Sequence, residues 1–550
     1  MKVIVVGGVA GGMSAATRLR RLDERAEIVV LERGPHVSYA NCGLPYHIGG
    51  AIPERADLLL QTPESLRARF AIDVRTRHEV LGIDRAARTV RVRDLSEGRT
   101  YTERYDRLVL SPGAEPVVPP LPGAERGLTL RDVADTDRVL EAVRTGTGAR
   151  SAVVVGGGFI GVELAENLRE RGLAVALVEY AGQLLPPLDP EMAAPLAGEL
   201  VAAGVDLRLS ARVAKVLPDS VELADGTTLP ADLVVFAIGV RPDTALARAA
   251  GIETGPRGGI AVDDRQRTSD PYVFAVGDAA EKRDHLTGEG TLVPLANLAN
   301  RHGRLVADVI AGRPVRGRTA VGTAIVKVFG LTAAATGWNE KRLRAAGRPH
   351  RVLHIHPTSH AGYYPGARPL ALKLLVDPAD DRILGAQAVG ADGVDKRVDV
   401  LATAIATGLT APELADLELA YAPPYGAAKD PVNLLGYVAQ NQADGTTPTV
   451  QWHELDRAVR DGAVLVDVRT RAEHASGAVP GALNIPVDDL RERLAEIPAD
   501  RPVVVYCQAG LRGHTAARIL AQHGRDVRNL DGGWLTWRAG QAATAAPGHA

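Results

Sequence analysis

The chain carries one local arrangement twice. Lys2 to Val6 is a continuous apolar strand that runs into Gly7-Gly8-Val9-Ala10-Gly11-Gly12, a helical pattern follows through Leu22, and a second strand, Ile28 to Leu31, ends in Glu32. Further on, Ala152 to Val155 runs into Gly156-Gly157-Gly158-Phe159-Ile160-Gly161, and Ala174 to Val178 ends in Glu179. Each segment is a strand–helix–strand unit whose glycines permit a tight turn, close approach to a pyrophosphate and packing of helix on strand. The closing acid stands roughly 20 residues on, where it can grip ribose hydroxyls. The second copy has all three fingerprint glycines, Gly156, Gly158 and Gly161. The first has Gly7 and Gly12, with Val9 in the middle position. Two such units predict an α/β protein with two Rossmann-like dinucleotide-binding domains.

At 550 residues there is room for three or four domains. A net charge of -2 provides no basic field for nucleic acid. No apolar run reaches the roughly 18 residues of a membrane span, and the first strand is too short for a secretory signal. The only two cysteines, Cys42 and Cys507, cannot make a disulfide framework and fit a reducing cytoplasm. Each therefore invites a chemical explanation.

Further strand ends precede Ser111-Pro112-Gly113-Ala114, Ala237-Ile238-Gly239 and Gly277-Asp278-Ala279. In this order they resemble the FAD- and NAD-dependent pyridine nucleotide-disulfide reductase superfamily. The resemblance implies FAD on Gly7, Gly11, Gly12, Glu32, Gly277 and Asp278, and NADH on Gly156, Gly158, Gly161 and Glu179. Tyr180-Ala181-Gly182 offers no cation for a 2'-phosphate, which favours NADH while leaving NADPH open. Glu163 lies where relatives place an acid near the nicotinamide. The expected domains are 1–147 and 266–320 for FAD, 148–265 for NAD, an α+β dimerisation domain over 321–440, a linker over 441–449, and a last domain over 450–540.

Cys42 stands in Ser38-Tyr39-Ala40-Asn41-Cys42-Gly43-Leu44-Pro45-Tyr46 with no second cysteine nearby, so its oxidised state is a mixed disulfide or a sulfenic acid. Residues 1 to about 440 resemble the coenzyme A-disulfide reductase family, whose motif is matched with Tyr39 in place of Phe. The resemblance extends to His360-Ala361-Gly362-Tyr363-Tyr364-Pro365-Gly366 and Ala420-Tyr421-Ala422-Pro423-Pro424-Tyr425. It implies a homodimer in which Tyr363 and Tyr421 of one subunit serve the cysteine of the other. It also implies coenzyme A or active-site contacts at Ser14, Arg18, Arg21, Ser38, Asn41, Asn300 and Lys429, with Asn300 replacing a histidine of some relatives.

Cys507 follows the strand Val503 to Tyr506 and opens Cys507-Gln508-Ala509-Gly510-Leu511-Arg512-Gly513, ahead of a helix from His514 to His523. With Asp467, Arg469, Glu473, His474 and Asp531-Gly532-Gly533-Trp534, this segment resembles a rhodanese domain. Backbone N–H groups around such a loop favour a thiolate or persulfide at Cys507. Arg512 adds positive charge, and Asp467 and Arg469 brace the fold. Trp534 and Trp537 belong to the core. His354, His356 and His360 lack accompanying Cys or carboxylate ligands, so no metal is expected. The tail from Gln541 is expected to fray.

These readings together imply an NADH-dependent, FAD-containing reductase of coenzyme A disulfide, coenzyme A persulfide or polysulfide, with Cys507 handling sulfane sulfur. Two alternatives remain. One is an NADH oxidase or peroxidase cycling a sulfenic acid, against which stands Ala10 where such relatives carry a histidine. The other is a rhodanese-type sulfur carrier on a redox scaffold.

Overall fold

The computed structural model describes residues 1–144 and 149–544. The expected domain boundary at 147/148 and the tail beyond Thr544 lie outside the described residues. The chain forms two compact units, one of residues 1–178 with 211–320, the other of residues 179–210 with those from Val321 onward.

In the first unit, five parallel strands run in the order Val273–Ala275, Arg107–Leu110, Lys2–Val6, Glu27–Glu32, Asp73–Thr76. Lys2–Val6 is buried on both faces, as its unbroken apolar run requires. The late strand Val273–Ala275 returns to this first sheet, so the Gly277-Asp278 turn emerges at the same carboxyl edge as Gly7. A second parallel sheet takes Ala174–Val178, Ser151–Val155 and Leu233–Phe236 in that order. The helix Ala10–Arg20 stops two residues short of the expected Leu22 because its last turn tightens. The N–H groups of Leu22 and Asp23 both donate to the Leu19 carbonyl at 2.9 Å.

The helix Ala10–Arg20 packs on the helix Ala296–Ile310, with Gly303 lying against Gly11 and Ser14. A Cβ there would lie 2.2 Å from the Gly11 carbonyl oxygen and 2.9 Å from Ser14 Cβ.

In the second unit, five antiparallel strands run Ala324–Val328, Leu331–Gly337, Ile383–Gly390, Leu370–Val376, Arg351–Ile355, with the helices Val394–Thr407 and Pro431–Ala443 packed against them. The C-terminal part has five parallel strands ordered Thr449–Val450, Val527–Leu530, Val503–Tyr506, Val464–Asp467, Leu483–Asn484. Its helix begins at Leu511, not His514, because Gly510 takes φ +102° and lets the chain turn straight into it. The final helix Gly533–Thr544 holds Gln541–Thr544 in regular structure, which corrects the expected fraying from Gln541. Among the described residues no helix is long and apolar enough to cross a membrane.

Gly303→Ala is expected to destabilise the first unit by about 1–3 kcal/mol through overpacking. Gly198→Ala, on an exposed helical position with nothing within 4 Å of the new Cβ, is expected to gain up to about 1 kcal/mol. Denaturant midpoints of the two variants against wild type check the contrast.

Candidate active site

The first glycine turn has no room for side chains. Gly7 takes φ +95°, and a Cβ on Gly12 would sit 2.0 Å from the Gly7 carbonyl oxygen. Val9 fits the middle position because its φ of -111° is ordinary for an L-residue. The Glu32 carboxylate accepts the N–H groups of Gly8 at 2.8 Å and Gly34 at 2.7 Å, which ties the turn to the end of the neighbouring strand. Asp278, on the turn Gly277–Ala279, is half-buried; burial pushes its carboxyl up while the Lys282 ammonium opposes that. Lys282 is itself buried and donates to the carbonyls of Gly277 (2.5 Å) and Ala280 (2.8 Å). A glycine turn at a helix N-terminus, flanked by Glu32 and Asp278, fits FAD.

The second turn repeats the first with Gly156 at φ +112° and a Gly161 Cβ that would lie 1.8 Å from the Gly156 oxygen. Gly158 faces open space, with nothing within 4 Å of a Cβ. This leaves a cradle for a pyrophosphate at the N-terminus of the helix Phe159–Glu170. Glu179 accepts the Ala181 N–H at 2.7 Å, and Tyr180 is exposed.

Cys42 sits on the short helical turn Asn41–Gly43, and both it and Asn41 are exposed. Its loop is tied to the glycine turn by the Ser38 N–H, which donates to the Gly8 carbonyl at 2.8 Å, with Ser38 itself at φ +46°. Although the residue as a whole is exposed, desolvation of its sulfur pushes the Cys42 thiol up, and the carboxylates of Glu163 and Asp278 add to the shift. The Tyr46 hydroxyl, on the following helix Leu44–Gly49, donates to Glu163 Oε1 at 3.2 Å. Glu163 is pushed up to about 7 by burial, against the lowering effect of that hydrogen bond.

Of the other expected contacts, Ser14 and Asn300 meet, with the Ser14 hydroxyl donating to Asn300 Oδ1 at 2.7 Å. Arg18, one helical turn from Ser14, is held by Asp308 at 2.8 Å, and the Arg21 guanidinium lies 5.1 Å from the centre of the Phe70 ring. In the second unit Tyr363 and Tyr421, 58 residues apart, share a 2.9 Å hydrogen bond between exposed hydroxyls, and Lys429 is exposed on the segment that follows.

Cys507 is buried at the end of Val503–Tyr506, and its sulfur accepts the Gly510 N–H at 3.1 Å. Its carbonyl accepts the Trp534 N–H at 2.8 Å, and a Cβ on Gly533 would lie 2.4 Å from the same oxygen. Arg512 forms a two-pronged pair with Glu473 at 2.6 and 2.8 Å, which holds Glu473 down at about 2. Asp467 and the fully buried Arg469 pair at 2.7 Å, and Arg469 also donates to the Gly477 carbonyl. Trp534 and Trp537 stack with centroids 5.2 Å apart against the core.

Sequence reasoning missed a buried charge cluster in this unit. His354 does have carboxylate neighbours, which corrects the reading of the histidines. Its Nδ1 lies 2.6 Å from Asp531 Oδ2 and its Nε2 lies 3.1 Å from Glu191 Oε1. Lys373, with no exposed surface, meets Asp189 (3.0 Å), Glu191 (2.5 Å) and Glu340 (2.5 Å). His356 bonds the Thr536 hydroxyl at 2.7 Å. These partners stand too far apart in sequence for spacing to reveal them.

The sequence pattern of the pyridine nucleotide-disulphide oxidoreductases matches residues 1–303. The chain belongs to that family. The pattern of the family's dimerisation domain matches residues 323–430, and a rhodanese-like domain matches 451–540. A coenzyme A disulfide reductase of Staphylococcus aureus (strain JH9) is 35% identical over 442 residues, covering 80% of this chain and all of the relative. The crystal structure of reduced Bacillus anthracis CoADR-RHD superposes with a TM-score of 0.96 at 48% identity, covering 98% of both chains. A NAD-dependent persulfide reductase from A. fulgidus gives 0.92 at 38% identity, covering 98% of this chain and all of that one. This oxidoreductase is a mixed α/β protein of a family that uses FAD and NADH, with a rhodanese domain at its C-terminal end.

Burial alone would push His354 down, but Asp531 and Glu191 outweigh it and raise it to about 9. Folding therefore favours the protonated ring. Its stabilising contribution is complete below the unfolded value near 6.5 and is lost as pH rises through about 9. His354→Gln is expected to destabilise the second unit by about 3–5 kcal/mol at pH 7, because Asp531 loses its buried cation. The variant is expected to flatten the fall in melting temperature that wild type shows between about pH 6.5 and 9, and differential scanning calorimetry checks both.

Proposed function

We propose that this oxidoreductase uses NADH to reduce the sulfur–sulfur bond of a coenzyme A persulfide, polysulfide or coenzyme A disulfide. The observation that carries the reading is a lone cysteine, Cys42, whose loop is hydrogen-bonded to the first glycine turn, in a chain that ends in a Cys507 rhodanese loop. The names of the Staphylococcus aureus and A. fulgidus relatives support the substrate class. Gly7, Gly11, Gly12, Glu32, Gly277 and Asp278 hold FAD. Gly156, Gly158, Gly161 and Glu179, together with Glu163, would hold NADH. Bound FAD supplies the chemistry of accepting a hydride and releasing its two electrons to sulfur.

The Cys42 thiolate attacks coenzyme A persulfide at the sulfur bonded to the coenzyme A carbon chain. A Cys42–S–S–coenzyme A bond forms and HS⁻ leaves. Two electrons from NADH then break that bond, returning the Cys42 thiolate and coenzyme A. Asn41 and Ser38 shape the cysteine loop, and Ser14, Arg18, Arg21, Asn300 and Lys429 bind coenzyme A. In a homodimer built through residues 321–440, the Tyr363 and Tyr421 hydroxyls of one subunit serve the Cys42 of the other. Cys507 carries sulfane sulfur beside the Gly510 N–H, with Arg512 nearby, and passes it to coenzyme A or to Cys42. The reaction belongs in the reducing cytoplasm, where both cysteines remain thiols.

The test is anaerobic NADH oxidation and sulfide release with coenzyme A persulfide, coenzyme A disulfide, polysulfide and peroxide in parallel. Cys42→Ser is expected to abolish turnover of every sulfur substrate. Cys507→Ser is expected to slow turnover at least tenfold only when a sulfane donor must be processed first. Turnover with peroxide alone would overturn the reading.

A further inference from the structure

Cleaving a mixed disulfide at Cys42 leaves two thiolates, and the departing one needs a proton. The helix Leu44–Gly49 that follows Cys42 packs directly on the helix Phe159–Glu170 that carries Glu163. Two contacts about one turn apart fix the register. Tyr46 reaches Glu163, and Gly49 lies against Asn167 so closely that a Cβ would be 1.9 Å from Asn167 Oδ1. Asn167 also donates to the Glu163 carbonyl at 2.7 Å. Among the described residues no lysine or arginine pairs with the Glu163 carboxylate; its neighbours are the Tyr46 hydroxyl and the acid Glu166.

We propose that Tyr46 and Glu163 form the proton store of Cys42, with Glu163 handing the proton, directly or through the Tyr46 hydroxyl, to the thiolate that leaves when the mixed disulfide is reduced. The idea rests on the reading of Cys42 given above. NADH plus Cys42–S–S–R gives NAD⁺, the Cys42 thiolate and RSH. The S–S bond takes up two electrons, Cys42 keeps one pair, and RS⁻ takes the proton of the Glu163 carboxyl. The proton left when the hydride has given up its electrons refills Glu163.

A carboxyl at about 7 is half protonated at working pH, which suits a group that both gives and takes a proton. Charges on each packed element bear on this behaviour. Glu166 on its own helix raises Glu163, and Asp278 acts on Cys42 from the Gly277–Ala279 turn. Arg171 is engaged with the Ile48 carbonyl at 2.5 Å, and His47 Nδ1 lies 2.6 Å from the Ile52 carbonyl.

The experiment uses holoenzyme in which Cys507→Ser leaves Cys42 as the sole thiol, and reads two profiles. Turnover of coenzyme A disulfide is expected to fall above about pH 7. Glu163→Gln should remove that inflection and cut the rate at pH 6 about 100-fold. Tyr46→Phe, which keeps the ring, should move the inflection upward, because the lost hydrogen bond favoured the carboxylate. Iodoacetamide alkylation of Cys42 gives the second readout. Glu163→Gln should shift its pH profile downward, since a neighbouring anion has gone. If neither variant moves either profile, Glu163 is structural and the inference fails, although Cys42 would remain essential. If Cys42→Ser keeps turnover, the reading of Cys42 itself fails, and the proton store with it.

Discussion

The contact on which the redox half of the chain depends is that of a helix backbone against the turn that starts it. Gly12 and Gly161 each place their α-carbon so close to the carbonyl of the first glycine that a methyl group would lie within about 2 Å of it. That closeness brings each helix N-terminus to the carboxyl edge of its sheet, where its unpaired N–H groups face outward. The approach of Gly303 to Gly11 extends the same principle to a third element, so the helix bearing Asn300 is set by close backbone contact together with the Ser14–Asn300 and Arg18–Asp308 bonds. Cys42 inherits this rigidity through the Ser38 to Gly8 hydrogen bond.

The local half of this architecture was legible in the sequence because it is written in short-range code. Strands such as Leu233–Phe236, Ala324–Val328, Leu370–Val376 and Val503–Tyr506 stand where apolar runs predict them. The two glycine turns, Cys42 and Cys507 could be singled out from spacing and resemblance. Partners far apart in sequence could not. The bonds of Tyr46 to Glu163 and of His354 to Asp531 span 117 and 177 residues, and no periodicity connects them. His354 looked bare of ligands for that reason.

The two cysteines occupy opposite electrostatic settings. Cys42 is an exposed residue on which desolvation of the sulfur and the carboxylates of Glu163 and Asp278 all resist ionisation. Cys507 is buried with an N–H already aimed at its sulfur, and the nearby Arg512 charge is held in place by Glu473. One sulfur faces two carboxylates and the other a donated N–H.

The buried ions of the second unit carry an evolutionary implication. Asp531 comes from the rhodanese part, His354 and Lys373 from the antiparallel sheet, and Glu191 from the 179–210 segment, so three stretches of the polypeptide share one set of counter-charges. A lineage that lost the terminal domain would leave the His354 imidazolium without its 2.6 Å acceptor, and a lineage acquiring it would first have to accommodate Asp531. Gaining or losing the rhodanese part therefore alters the charge balance of the whole cluster and not of a single position.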